Sequence, residues 1–409
     1  GFNSPMGALG EPKGTYRSDN MERAVLDFEI QALRFPGGTV ANYFDWRHGT
    51  LIEGALEKSG KQSLIEMQAD REKHSESGTA IVDFESFYEL TRKHGIRRFV
   101  VLNLLSSNVD EVLETIDRIK KEQPGEYYWE LGNELSQPAY RKRAWATDNW
   151  NAKVYTKLAG QVARHIATHY PDDRSGIVIA QVVEGRVPGV RNLKKIESDM
   201  REWDRSVATV PNANAVIIHP YVLSEKRFIE RVLGESPNAE RLQGLLNRLD
   251  DVRWRWLFAC AQEVPDLYLD QVRNRFPGKS VWITEAGFSE DKKKGYYHDQ
   301  QSMRRLLFNL SYFITWMRRY PEWETLLFHG LFSGKGHMAA YGPGLDVNAN
   351  YLSYAYLARL LNDAEMVGYL DIEGGPTYKG AGEYASADIR SLKGLYVRTN
   401  GGHQRILLT

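Results

Sequence analysis

The feature that most restricts the fold of this chain is a regular alternation of short apolar runs with segments of helical period. Strand-like runs fall at Leu33 to Phe35, Arg98 to Leu105, Tyr127 to Leu131, Ile177 to Val183, Ala215 to Tyr221, Val281 to Thr284 and Leu326 to Phe332. Between them, Phe84, Phe87, Tyr88 and Leu90 share one helical face, with Asp83 placed to cap it and Gly95 to stop it. Val109, Val112, Leu113, Ile116 and Ile119 repeat at helical spacing, with Ser107 and Asp110 at the start and Pro124 beyond the end. Met21 to Leu33 reads as a first helix and Tyr351 to Asn362 as a last one. Strands alternating with helices predict an α/β fold with a parallel sheet.

Seven strands are one short of a closed barrel, and Gly1-Phe2-Asn3 fits the end of a missing first strand. The expected architecture is a (β/α)8 TIM barrel over residues 1–364. An open doubly wound sheet is the other arrangement that the same alternation permits. Trp46 to Ala80 and Val222 to Asp270 are too long for simple connectors. Following the second and sixth strands of a barrel, they fall on its catalytic face, where insertions shape access. Beyond Asn362 the pattern changes to short alternating pieces around Met366 to Ile372 and Leu392 to Thr409, broken by Gly374-Gly375 and Gly401-Gly402. Residues 365–409 are therefore expected to form a small C-terminal β-sheet, part of a β-sandwich cut short.

Composition narrows the partners. Lysine plus arginine and aspartate plus glutamate both number 53, so no excess of basic charge points to nucleic acid. Cys260 is the only cysteine, which excludes an internal disulfide and a multi-cysteine metal site. No window approaches the roughly 18 consecutive apolar residues of a membrane span. The opening Gly1-Phe2-Asn3 has neither an initiator methionine nor a charged-then-apolar leader, as in a processed or trimmed start.

Two strands end in a carboxylate: Tyr127-Tyr128-Trp129-Glu130-Leu131-Gly132-Asn133-Glu134 and Val281-Trp282-Ile283-Thr284-Glu285. Catalytic groups of a barrel come from strand C-termini, and Glu134 and Glu285 end predicted strands four and seven. Two carboxylates about 5 to 5.5 Å apart, one a proton donor and the other a nucleophile, are what retaining cleavage of a glycosidic bond requires. A lone glutamate after a strand is more often a helix cap or a surface charge. The consistent placement of two carries the argument.

Trp129-Glu130-Leu131-Gly132-Asn133-Glu134, Trp282-Ile283-Thr284-Glu285 and Leu33-Arg34-Phe35-Pro36-Gly37-Gly38 resemble the signature strands of clan A retaining glycoside hydrolases. The Arg-Phe-Pro-Gly-Gly element is most similar to the α-L-arabinofuranosidase branch, with a looser likeness to the heparanase-like β-glucuronidases. The resemblance implies that Glu134 is the acid/base, Glu285 the nucleophile and Asn133 a contact to the sugar 2-hydroxyl. Arg34 is the expected neighbour of Glu285. His219-Pro220-Tyr221 ends predicted strand six, where members of the clan place residues that touch the substrate or the nucleophile, and a Tyr221 hydroxyl could donate to Glu285. The chain departs from the pattern in two places. His329-Gly330-Leu331-Phe332 stands where many members have a stacking tryptophan, and Thr39 follows the two glycines where arabinofuranosidases have asparagine. His329 joins the expected substrate contacts, with Trp46 as a stacking platform and Trp145 and Trp150 as further aromatics near the same face.

The expected activity is that of a retaining glycoside hydrolase on a poly- or oligosaccharide, needing no metal or organic cofactor. Its substrate class suggests a secreted or periplasmic location. A non-catalytic carbohydrate-binding barrel is the alternative from another class. A metal-dependent barrel hydrolase would need histidines and acids clustered at strand ends, and only His219 and His329 stand in such places. His165 and His169 have the spacing of a helical zinc pair but no glutamate between them. Gly334-Lys335-Gly336 lacks the third glycine of a dinucleotide loop, and Lys292-Lys293-Lys294 reads as a solvated loop.

Overall fold

The computed structural model describes residues 2–3, 16–52, 84–137, 150–180, 193–222, 250–288, 303–319, 323–329, 331, 347, 349–370, 372–381, 386–390 and 392–409. The first half runs β1 (Phe2–Asn3), α1 (Asp19–Asp27), β2 (Ala32–Phe35), a 3-10 turn (Gly38–Tyr43), and a small hairpin of β3 (Phe44–Asp45) and β4 (Thr50–Leu51). It continues through α2 (Phe84–Lys93), β5 (Arg97–Val101), α3 (Val109–Glu122), β6 (Tyr128–Glu130), α4 (Ala152–His169) and β7 (Arg174–Val178). Then come α5 (Leu193–Val207), β8 (Ala215–Ile218), β9 (Tyr221–Val222), α6 (Asp250–Arg275), β10 (Ser280–Phe288), α7 (Met303–Arg319), β11 (Trp323–His329) and α8 (Ala349–Leu361).

Eight parallel strands, β1, β2, β5, β6, β7, β8, β10 and β11, pair in that order, and β11 also pairs with β1, which closes the ring. A helix follows every one of them, so the architecture is a (β/α)8 barrel and the open doubly wound sheet is excluded. The first strand is the one expected at Gly1-Phe2-Asn3: Phe2 pairs with Leu33 on one side and Phe328 on the other. Short β9 adds to the upper end of β10 at Gly287 and Phe288.

Some boundaries differ from the sequence pattern. The first helix ends at Asp27, because Phe28 caps it and Leu33 already belongs to β2. Asn108, not Ser107, caps α3: its side chain accepts from the Glu111 amide at 2.9 Å while the Glu111 carboxylate accepts from the Asn108 amide at 3.4 Å. Asp83 lies outside the described residues. The largest difference concerns Val222 to Asp270, whose second half is not an insertion but most of the 26-residue helix α6. Pro265 within it reads as a breaker. Buried Trp254, Trp256, Leu257, Cys260, Ala261, Val264 and Tyr268 leave no clean polar stripe to betray the period.

The barrel interior carries a layer of rings. Trp282 on β10 meets Phe99 on β5 at 5.2 Å and Tyr128 on β6 at 5.6 Å between centroids, and its indole N–H donates to Glu324 at 2.9 Å. Gly176 on β7 makes room for that indole, since a Cβ there would lie 2.6 Å from Trp282 Cε3 and 3.0 Å from Ile217 Cγ1. Overpacking of this kind is costly in a close-packed interior. A Gly176→Ala variant is expected to lose about 1 to 3 kcal/mol in urea unfolding. A midpoint equal to that of the parent protein would show that the layer yields without cost.

Past the barrel, β12 (Ala364–Leu370), β15 (Gly394–Thr399) and β16 (Gln404–Leu408) form an antiparallel sheet, and β13 (Thr377–Lys379) and β14 (Asp388–Arg390) form a separate ribbon. Leu395 and Val397 turn inward and are buried. The sheet is pinned to the barrel helices by Lys393 donating to Thr315 Oγ1 at 3.1 Å and by the Arg405 guanidinium donating to the Asn362 carbonyl at 2.8 Å. No helix among the described residues is long and apolar enough to cross a membrane.

Candidate active site

The C-terminal ends of β2, β6, β8, β10 and β11 bring Arg34, Asn133, Glu134, His219, Tyr221, Glu285 and His329 together. Arg34 lies at the centre. It is wholly buried, and such a charge persists only when paired. Its Nε and one terminal nitrogen each donate to Glu130 at 2.8 Å, a two-pronged pair. The other terminal nitrogen donates to Glu285 Oε1 at 2.6 Å, and the first also reaches Asn133 Oδ1 at 2.9 Å. Burial works against the arginine charge, but Glu130 and Glu285 outweigh it and raise its pKa above the ordinary value.

Local backbone geometry sets these groups in place. After Arg34, a cis Phe35–Pro36 bond is followed by Gly37 and Gly38 at φ +68° and +61°, a left-handed region that glycine enters freely. The chain turns there into the 3-10 segment that carries Asn42. The Asn42 side chain clamps the backbone of Asn133, donating to its carbonyl at 2.8 Å and accepting from its amide at 3.1 Å. Gly132 sits at φ +96°, where a Cβ would fall 2.3 Å from Leu135 Cδ1. Glu134 itself adopts φ +51°, uncommon for a side chain of its size and a form of strain found at functional positions.

On β10 the alternation of a regular strand would turn Thr284 and Glu285 to opposite faces. Between Ile283 and Ala286 the strand takes three steps while its partner β11 takes two, from Leu326 to Phe328. The extra residue is a bulge, and it directs both Thr284 and Glu285 to the site. Thr284 donates to Glu130 at 3.1 Å and meets His219 Nε2 at 3.0 Å. His219 Nδ1 meets Glu134 Oε1 at 3.1 Å.

Glu285 is 4% exposed, and donors surround its carboxylate. Besides Arg34 on Oε1, the Tyr221 hydroxyl donates to Oε2 at 2.5 Å, and His329 Nδ1 and His219 Nδ1 lie 3.4 and 3.8 Å from the same oxygen. Burial alone favours the neutral acid. The charges of His219, His329 and Arg34 and the hydrogen bond from His329 overcome it and hold the carboxyl well below the usual range. Because the folded protein holds this group lower than the unfolded chain does, ionised Glu285 adds stability above the ordinary carboxylate range. That contribution is lost as pH falls through the lowered value. Burial, then the Glu285 and Glu134 carboxylates, push the Tyr221 phenol well above its ordinary value, so it stays a donor.

A Glu134, a His219 and a Glu285 atom all lie within 4.8 Å of one another. Among the described residues this is the one acid and histidine cluster with the spacing of a cation site. Its donor set fits a cation poorly, since Arg34 and Tyr221 already occupy the Glu285 oxygens with hydrogens. One oxygen of each carboxylate thus lies within 4.8 Å of the other, an approach compatible with the roughly 5 to 5.5 Å separation of a retaining pair. Glu134 remains partly open, its side chain 16% exposed, while Glu285 is closed in.

Trp46 is placed differently from the expectation of a stacking platform. Its ring packs edge-on against Phe35, Phe44 and Phe84 at centroid distances of 5.7, 5.0 and 5.3 Å, an aromatic cluster under β2. It also lines a cavity of about 370 Å³ with Asp45, Asn103, Ser106 and Glu111. Trp150 is buried against Tyr155, and Trp145 lies outside the described residues, as do Gly334-Lys335-Gly336 and Lys292-Lys293-Lys294. On α4, His165 Nε2 donates to the Asp117 carboxylate at 2.7 Å and His169 Nδ1 to the His165 carbonyl at 3.0 Å, a surface network and not a ligand pair. Sequence reasoning missed Glu130, Thr284 and Asn42 as members of the site. A glutamate inside a strand as apolar as Tyr128–Glu130 was the available signal for the first; nothing in the pattern marked Asn42.

Fold and site together define a (β/α)8 barrel with a close carboxylate pair at its strand ends. No family model matches the chain, and no curated protein matches it in sequence. Among solved structures its fold is shared with glycoside hydrolases. A family 51 α-L-arabinofuranosidase from Bifidobacterium longum matches with a TM-score of 0.59 at 12% identity, over 100% of this chain and 81% of that one. The corresponding enzyme of Xanthomonas axonopodis pv. citri gives 0.60 at 12%, over 96% and 74%. A 4-O-α-L-rhamnosyl-β-D-glucuronidase from Fusarium oxysporum gives 0.57 at 13%, over 97% and 76%. At these identities the likeness is one of fold.

Proposed function

We propose that the protein is a retaining glycoside hydrolase acting on a poly- or oligosaccharide, with Glu285 as nucleophile and Glu134 as acid/base. The observation that carries this reading is the close approach of two carboxylates in unlike surroundings. Glu285 is buried and held ionised by cationic neighbours, as a nucleophile must be. Glu134 is the more open of the two and lies against His219.

In the first step a Glu285 oxygen bonds to the anomeric carbon as the glycosidic C–O bond breaks, and the Glu134 proton passes to the departing oxygen. In the second, Glu134 takes a proton from water, whose oxygen bonds to the anomeric carbon and releases Glu285. Arg34 and Tyr221 hold the carboxylate in its attacking orientation, which removes the need to reorganise solvent. Asn133 supports the assignment independently. Its Oδ1 is committed to Arg34, while its Nδ2 is buried and unpartnered among the described residues, a donor left for a substrate hydroxyl. For a polymeric substrate we extend the proposal to a secreted or periplasmic location.

A panel of 4-nitrophenyl glycosides and polysaccharides, including arabinans, xylans, galactans and uronic-acid polymers, identifies the sugar. Proton NMR of the first-formed product then tests the mechanism, with retention of anomeric configuration expected. Inversion rules out the two-step reaction, and binding without turnover across the panel favours a carbohydrate-binding barrel instead.

A further inference from the structure

The proton of the acid/base is not positioned by Glu134 alone. Glu130 is wholly buried, takes two hydrogen bonds from Arg34 and can only accept, so the Thr284 hydroxyl must give its single hydrogen to Glu130 Oε2. Thr284 Oγ1 then has only lone pairs to offer His219 Nε2, 3.0 Å away. His219 therefore carries a proton on Nε2. In the neutral ring this leaves Nδ1 as a bare acceptor, pointed at Glu134 Oε1 from 3.1 Å.

We infer that Thr284 is a positioning residue for the reaction: by fixing the His219 tautomer, it makes a shared proton between His219 Nδ1 and Glu134 Oε1 the condition for their contact. This rests on the reading of Glu134 as acid/base. A neutral ring with Nε2–H facing a Glu134 carboxylate sets two lone pairs against each other. Adding one proton turns that clash into a hydrogen bond, whether the carboxylic acid donates to imidazole or imidazolium donates to carboxylate. The unit thus holds on to the proton that the departing oxygen needs. Without the Thr284 hydroxyl, the neutral ring is free to carry its hydrogen on Nδ1 and donate to the carboxylate with no extra proton, so the unit gives its proton up more readily.

Several charged and polar groups among the described residues face this pair. Glu285 Oε2 lies 3.8 Å from His219 Nδ1, with Arg34, Tyr221 and His329 around that carboxylate. Glu130 stands behind Thr284, and the Tyr268 hydroxyl lies 3.5 Å from the His219 carbonyl oxygen. None of them except Thr284 meets Nε2 in a hydrogen bond among the described residues.

The test is Thr284→Val, nearly the same shape without the hydroxyl, against Thr284→Ser, which keeps it. With phenyl and 2,4-dinitrophenyl glycosides of the sugar found in the panel, the basic limb of kcat/KM in Thr284→Val should move about one pH unit lower, the scale of one charge-assisted hydrogen bond. The loss above neutral pH should be larger for the phenyl glycoside, whose poor leaving group needs the proton. Thr284→Ser should restore the wild-type limb. In a ¹⁵N-histidine-labelled sample, His219 should show the Nε2–H tautomer in the parent enzyme and lose that preference in Thr284→Val. A wild-type basic limb in Thr284→Val, a shift confined to the acid limb, or an Nδ1–H tautomer in the parent overturns the inference. Failure of the underlying assignment looks different: Glu134→Ala would then keep its activity on the phenyl glycoside and gain nothing from azide with the dinitrophenyl one, while the tautomer result would stand.

Discussion

Glu285→Gln is expected to abolish turnover, lowering kcat by about 10⁴-fold or more, with sugar binding retained. The amide nearly matches the carboxylate in shape, so the buried pocket keeps its volume. What it loses is the negative charge that the proposed mechanism brings to the anomeric carbon, together with the ion pair to Arg34 Nη1 at 2.6 Å. Stopped assays on the best glycan, run beside calorimetric binding to its product sugar, separate the two effects. Activity within a hundredfold of the parent enzyme would remove Glu285 from the chemistry. Binding lost together with turnover would mean that the substitution had disturbed the pocket as a whole.

The second large effect is on folding. Arg34→Leu removes the guanidinium that Glu130 and Glu285 share, and leaves two carboxylates, 0% and 4% exposed, without the arginine that pairs with both. Breaking a buried pair from one side typically costs about 3 to 5 kcal/mol, because the remaining charge stays desolvated and uncompensated. Urea unfolding of Arg34→Leu should show a loss of that size, and the protein should be inactive even where it remains folded. Adding Glu130→Gln should recover part of the stability, since it withdraws one of the stranded charges, but none of the activity. If the double variant is no more stable than the single one, the arginine is not held there by Glu130 and the energetic account of the network fails.

The barrel was legible in the sequence because its signal is spread over the whole chain. Seven apolar runs with helices between them survive errors at individual boundaries, and the short Phe2–Asn3 strand needed only the logic of closure. Helix α6 was illegible for the opposite reason. A helix with tryptophans, tyrosine and leucine buried on several sides has no polar face to set its period, and Pro265 argues locally against it. The carboxylates Glu134 and Glu285 were legible as acids at the ends of apolar strands, and Arg34, in the run that resembles a clan A signature, was the candidate for the positive neighbour that a buried carboxylate such as Glu285 needs. The pairing of Arg34 with Glu130 could have been read by asking where a charge inside a strand finds its partner. Asn42 could not, because its role depends on a glycine turn that brings one loop against the backbone of another. Trp46 was misplaced because an aromatic after a strand end serves a core as readily as a ligand, and here Phe35, Phe44 and Phe84 surround it.

The bulge in β10 gives two jobs to adjoining peptide units. Thr284, at one end of the hydrogen-bonded chain that runs through His219 to Glu134, and Glu285, the proposed nucleophile, are neighbours joined by one peptide link. Their separation is set by bond lengths, not by packing. Any displacement of this strand therefore moves Thr284 and Glu285 together, keeping them in step, whereas removing one residue from the bulge would send one of them out of the site.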